Sequence, residues 1–79
     1  MALAMDLTTL ERHVRKAEQN VARCRGLIAT QEALIARLDG AGANTSFAKD
    51  TLEILRRAQQ SYEKQRDRYA ALLSEAKKK

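Results

Sequence analysis

Apolar residues recur along the first half of this chain at alternating spacings of three and four. Leu7, Val14, Val21, Ile28 and Ile35 form one column, seven residues apart, and Leu3, Leu10, Ala17, Cys24, Gln31 and Leu38 form a second. That alternation is the seam of a coiled coil, where apolar side chains of one helix fit between those of another. Gln31 is the only polar residue in it. One column is largely β-branched, which packing in a seam tolerates despite the modest helix propensity of such residues. The pattern predicts a first helix over about residues 3–39. Asp6 can cap it, or Thr8 with Glu11 can form a capping box; Leu3, which continues the seam, argues for the earlier start. Gly26 falls mid-helix on the outer face, and nothing in the pattern accounts for it.

The periodicity breaks once, across Asp39-Gly-Ala-Gly-Ala-Asn-Thr-Ser46. Gly40 or Gly42 can take the left-handed conformation that ends a helix. Thr45, Asn44 or Ser46 can accept the free backbone N–H groups that open the next. The expectation is a turn at residues 40–44 and a second helix over about 45–77. A connection this short returns the second helix antiparallel to the first. The inward column of the second helix is Ala48, Leu55, Tyr62, Tyr69 and Ala76, with Thr51, Ala58, Gln65 and Leu72 on one side and Leu52, Gln59, Arg66 and Leu73 on the other. With the turn centred near residue 43, Cys24 falls opposite Tyr62 and Ala17 opposite Tyr69, small side chains facing large rings.

The fold class that follows is all-α: one domain over residues 1–79, a helical hairpin with coiled-coil packing. Its expected seam is Val14, Val21, Cys24, Ile28, Ile35 and Leu38 against Leu55, Tyr62 and Tyr69. Leu27, Leu34, Leu52, Ile54 and Leu73 lie beside that seam and widen the apolar stripe beyond what one helix covers. A stripe this wide belongs to a bundle of three or more helices, and two hairpins about a two-fold axis make a four-helix bundle. These five residues are therefore the expected oligomer interface of a homodimer, or a seat for a helix of another protein.

Composition sharpens the picture by exclusion. The chain has no proline or tryptophan and a single cysteine, Cys24. An intrachain disulfide is therefore excluded, and with His13 as the only histidine a structural zinc site lacks ligands. Glu-x-x-His pairs on inward positions, the di-iron bundle pattern, are missing because residue 10 is Leu. Gly40-x-Gly42 lacks the preceding strand and the Gly-Lys-Ser/Thr ending of a phosphate loop. His13 has no nucleophile or second base at helical spacing, and reads as a surface or interface residue. Cys24 reads as a small buried hydrophobe. The expectation is a protein without enzymatic activity, cofactor or metal. No segment approaches the ~18 consecutive apolar residues of a membrane span, so the reading is a cytoplasmic, bacterial-type protein with a reduced thiol.

Net charge is +5, yet residues 1–39 carry six basic and five acidic side chains and residues 40–76 carry the same, so Lys77, Lys78 and Lys79 supply most of the excess. Arg56, Arg57, Lys64, Arg66 and Arg68 cluster on the second helix, interspersed with Asp50, Glu53, Glu63 and Asp67. Mixed charges of this kind ordinarily solvate a helix. The alternative is a small basic dimeric hairpin that binds nucleic acid through Arg56, Arg57 and Lys64.

Glu11-Arg12-His13-Val14, Glu18, Val21, Gln31, Leu34, Ile35, Leu38, Gly42, Thr45, Ala48 and Arg66-Asp67-Arg68 together resemble a group of small proteobacterial helical-hairpin proteins. The resemblance implies an α-helical hairpin and no established activity. Gln65 and Tyr69 depart from the group's His-Arg-x-Arg-Leu pattern. The function expected is a structural or protein-interaction module that self-associates through its apolar stripe.

Overall fold

A computed structural model describes residues 6–78. Two helices, α1 (Leu7–Gly40) and α2 (Ser46–Lys77), pack against each other as an antiparallel hairpin with extents of 60 × 18 × 14 Å. Helix α1 begins where Asp6, with extended backbone, accepts a 2.7 Å hydrogen bond from the Thr9 N–H through its side chain. Asp6 is thus the cap, rather than Thr8 with Glu11. The Thr9 backbone bond, then the Thr9 hydroxyl and the Arg12 charge, hold the Asp6 carboxyl below its ordinary range. The expected earlier residues of the helix, 3–5, lie outside the described residues.

Helix α1 ends one residue later than the sequence suggested, through a Schellman motif. The Ala43 N–H donates to the Leu38 carbonyl at 2.9 Å and the Gly42 N–H to the Asp39 carbonyl at 3.0 Å. Gly42 takes the left-handed conformation, φ 73°, that this motif requires and that glycine adopts without a Cβ clash. Of the three candidates to open α2, Asn44 does so: its Oδ1 accepts from the Ser46 N–H at 2.8 Å, while Thr45 makes no side-chain cap bond.

The core is one seam wide. Its α1 side follows the expected columns, with Leu10, Ala17, Val21 and Cys24 buried and Val14, Ile28, Gln31, Ile35 and Leu38 half-buried. Small side chains at Ala17, Cys24 and Ala48 let the helices approach closely. The Cys24 thiol donates to the Leu55 carbonyl at 3.4 Å, and the Gln31 amide nitrogen to the Ala48 carbonyl at 3.0 Å.

The α2 side is rotated from expectation. Ala48, Leu52 and Gln59 are its buried residues, with Leu55, Arg66, Tyr69, Leu73 and Ala76 half-buried. The column Leu52-Gln59-Arg66-Leu73, read from sequence as a flank, is half of the seam. A seam needs two columns per helix to keep the alternation of three and four, and this column supplies the second. Tyr62, expected inside, lies at the edge with 37% of its surface exposed. At the edge its hydroxyl stays solvated. Cys24 and Tyr62 still line one cleft, as do Ala17 and Tyr69, so the expected pairs are neighbours.

Among the described residues the seam contains one unpaired polar atom. Gln59 is 8% exposed, and its Oε1 has no hydrogen-bond partner. A buried acceptor left unpaired costs about 1–3 kcal/mol, whereas Gln31 is satisfied. Two stability measurements test this account. Gln59→Leu removes the orphan and adds apolar contact, so its melting temperature should rise by roughly 4–8 °C per kcal/mol recovered, while Gln31→Ala should melt lower; a Gln59→Leu variant that melts below the parent would show that this amide is satisfied in solution. At Gly26 an added Cβ would meet nothing within 4 Å, so Gly26→Ala should stabilise by about 1 kcal/mol. The control Gly42→Ala should destabilise, because its backbone is left-handed. Equal effects at the two glycines in thermal unfolding would contradict the helix–turn assignment.

Candidate interaction surface

A hairpin with one seam has two long flanks, and here they differ in chemistry. On the first, Glu11, Glu18, Arg25, Glu32 and Asp39 fall seven apart in one column of α1. They run alongside Lys49, Arg56 and Glu63 of α2. Arg56 meets Glu32 at 3.0 Å and Arg25 approaches Glu63 at 4.0 Å, both across the interhelical groove. Ile35, Lys49, Leu52, Glu53 and Arg56 line the cleft at this flank. Both ion pairs are solvent-exposed, and exposed pairs contribute little stability, about 0–1 kcal/mol. Their effect is to set opposite charges together at two levels of this flank, while Glu11, Glu18, Asp39 and Lys49 take part in no ion pair among the described residues.

The second flank has no such cover. Near the turn it presents Leu34, Leu27, Thr51, Ile54, Ala58 and Phe47. Phe47 is 85% exposed, Ile54 65% and Leu27 50%. Phe47 and Ile54 lie seven apart on one strip of α2, and Leu27 and Ala58 line a shared cleft across the groove. Farther from the turn the same flank becomes polar and cationic. Three adjoining clefts run along it, lined by Asn20, Arg23 and Tyr62, by His13, Lys16, Asn20 and Gln65, and by Tyr62, Lys64 and Arg68. The His13 ring stacks on Tyr69 with centroids 4.8 Å apart and planes inclined by 11°. That pair joins α1 to α2 on the side of the hairpin away from the turn.

Of the residues expected at an oligomer interface, Leu27, Leu34 and Ile54 share this flank. Leu52 does not: it is buried in the hairpin's own seam, and Leu73 sits half-buried in the same column. The heptad column that carries both completes the α2 seam, so neither side chain is free to cover a second copy. Phe47 belongs with the exposed set, and its seven-residue spacing to Ile54 is the signal that marks it.

Nor do the three basic residues expected to contact nucleic acid form one patch. Arg56 turns across the first flank to Glu32, Arg57 pairs with Glu53 one turn back, and Lys64 lines a cleft of the second flank with Arg68. The acidic column of α1 and the Arg–Glu spacing on α2 draw the first two away.

Cys24 is buried in the seam. Among the described residues no group of three or more His, Cys, Asp or Glu side chains is placed to hold a metal ion, and no helix is long and apolar enough to cross a membrane. What the surface offers chemically is therefore apolar contact near the turn and cationic, amide and aromatic contact beyond it. No family model matches the chain, and neither does any curated protein or solved structure compared with it.

The first flank can be checked by a double-mutant cycle. Glu32→Gln, Arg56→Gln and the double variant should show a coupling of about 0.5 kcal/mol or less in urea unfolding. A coupling several times larger would mean that the pair holds the hairpin together, which its exposure argues against.

Proposed function

We propose that this chain is a non-enzymatic structural or interaction module of the cytoplasm that works by self-association. Two hairpins pack through the turn-proximal part of the second flank, and their four helices form a bundle where they overlap. The observation that carries this reading is the exposure of Leu27, Ile54 and Phe47 together on one flank while ion pairs cover the other.

Two considerations favour a second copy as the occupant. A chain of this size with a core one seam wide has little to stabilise it alone, and short chains lacking disulfides or metals commonly rely on association. A second copy also brings an identical apolar patch, so a two-fold axis through the patch buries both at once. The turn-proximal half of a 60 × 18 Å face offers about 500 Å² per copy, close to the lower bound of about 1,000 Å² total for a specific interface. Association in the micromolar range follows, with Leu27, Leu34, Ile54 and Phe47 at its centre. The buried thiol of Cys24 suits a reducing compartment.

Light scattering on the intact protein tests the reading. At tens of micromolar (well above a Kd of order 1 μM) the mass should be twice the 8.9 kDa of the chain. A Leu27→Glu, Ile54→Lys variant should elute as a monomer and lose the concentration dependence of its melting temperature. A parent protein that is monomeric and helical at that concentration would overturn self-association and leave the patch to a helix of another protein.

A further inference from the structure

The cationic part of the second flank points beyond self-association. Lys16 and Arg23 of α1 and Lys64 and Arg68 of α2 border the three adjoining clefts, and no carboxylate lines any of them. None of the four cations takes part in an ion pair among the described residues, whereas Arg25, Arg56, Arg57 and Arg66 all do. For Lys16 and Arg23 the cause is the arrangement of the acids on α1, while on α2 Asp67, three residues from Lys64, pairs with Arg66 instead. All four carboxylates of α1 fall in the column of the first flank, and the cap Asp6 precedes the helix. The opposite column, Lys16-Arg23-Thr30-Arg37, has no acid at all.

We propose that this groove binds single-stranded nucleic acid, with Lys16, Arg23, Lys64 and Arg68 along the phosphates and Tyr62, Asn20 and Gln65 toward the bases. Each feature fits that ligand better than another polyanion. Single strands are held by a cationic track beside aromatic side chains on which bases stack, and Tyr62, 37% exposed, stands at the junction of two of the clefts. Amide side chains pair with base edges, which an acidic peptide or a lipid headgroup does not have. A duplex fits poorly. The major groove is about 12 Å wide and takes one helix, whereas this hairpin presents two across 18 Å. An anionic membrane would call for apolar side chains among the cations; only Arg23 has them, in the cleft of Leu27, Leu55 and Ala58, while the clefts of Lys16, Lys64 and Arg68 offer Asn20, Gln65, Ser61 and tyrosine. The track starts about 25 Å from the turn at 1.5 Å per residue, where Arg23 shares a cleft with Leu27 of the apolar patch, and Lys16 and Arg68, about 33–36 Å from the turn, lie beyond the half of the face that two hairpins would share.

The test is fluorescence anisotropy of the intact protein with a labelled, mixed-sequence single-stranded oligonucleotide of about 20 nucleotides, longer than one groove spans. Binding should weaken with salt with a log–log slope close to −3, at about 0.7 per phosphate for four cations. Replacing Lys16, Arg23, Lys64 and Arg68 by Gln, which is a good helix former, should lower affinity by about tenfold or more with helicity and molar mass unchanged. Tyr62→Ala should weaken it about fivefold or more through lost stacking. Arg56→Gln with Arg57→Gln should change it less than twofold, and removal of Lys77–Lys79 should leave most of it. Should the fourfold variant unfold, Arg23→Gln and Arg68→Gln singly must each still weaken binding. Four results would overturn the proposal: no binding at low salt, binding that disappears with the lysine tail alone, equal affinity for duplex DNA, or stronger binding to phosphatidylserine vesicles or polyglutamate than to the oligonucleotide.

Discussion

Two helices can cover only one stripe of each other, and every feature of this protein follows from how it fills that stripe and what it leaves outside. Ala17, Cys24 and Ala48 are small, so the helix axes come close enough for the Cys24 thiol and the Gln31 amide to reach carbonyls of the facing helix. Tyr62, in the same column as Leu55 and Tyr69, lies at the edge of that stripe. A narrow seam also buries few side chains completely, so apolar residues just outside it, such as Ile54 and Phe47, have no cover from their own chain.

Polar groups inside the seam set orientation and register. An apolar stripe alone would allow α2 to slide by a heptad with little loss, since the column repeats every seven residues. Gln31 bonded to the Ala48 carbonyl distinguishes one register from its neighbours. On the first flank Arg25 sits among four carboxylates of α1 and Glu63 follows Lys49 and Arg56 on α2. The exchange places opposite charges together at both levels in this register, and a shift of one heptad would set Arg25 beside Arg56. Individually these pairs stabilise little, but like-charge encounters disfavour the alternatives, so they act on specificity more than on stability. Gln59 has no such account: it is buried with an unpaired oxygen, and nothing else in the seam explains it.

Much of the architecture was legible in the sequence, because a seam repeated over five heptads on α1 leaves few alternatives. The hairpin, the columns of α1 and the place of the turn could all be read directly, with Gly40 and Gly42 left as alternatives for its left-handed residue. The face of α2 could not, since its apolar signal is thin: Gln59 and Arg66 interrupt one column and two tyrosines occupy the other, so periodicity alone did not show which pair of columns turns inward. That single ambiguity misplaced Leu52 and Leu73 as interface residues and Tyr62 as core. The surface was harder still. Charges counted per half look balanced, and only assignment to columns reveals that the acids of α1 share one flank. Phe47 carried a usable signal in its spacing to Ile54, while the stacking of His13 on Tyr69 depends on the interhelical register and had none.

The separation of charge links these levels. Had the carboxylates of α1 been distributed around its surface, Lys16 and Arg23 would have partners at helical spacing and neither flank would differ from the other. Gathering them on one side serves the hairpin there by opposing them to Arg56. It leaves the other side with cations that have no local partner and, nearer the turn, with apolar side chains that have no cover. An uncompensated surface of both kinds is unfavourable in isolation: cations repel one another, and exposed Phe and Ile order water. The arrangement is consistent with a chain that is complete only when something occupies that flank, and the two halves select for different occupants. The apolar half, small and self-complementary, suits another copy; the cationic half, extended and lined with amides, suits a ligand that carries its charge along a line.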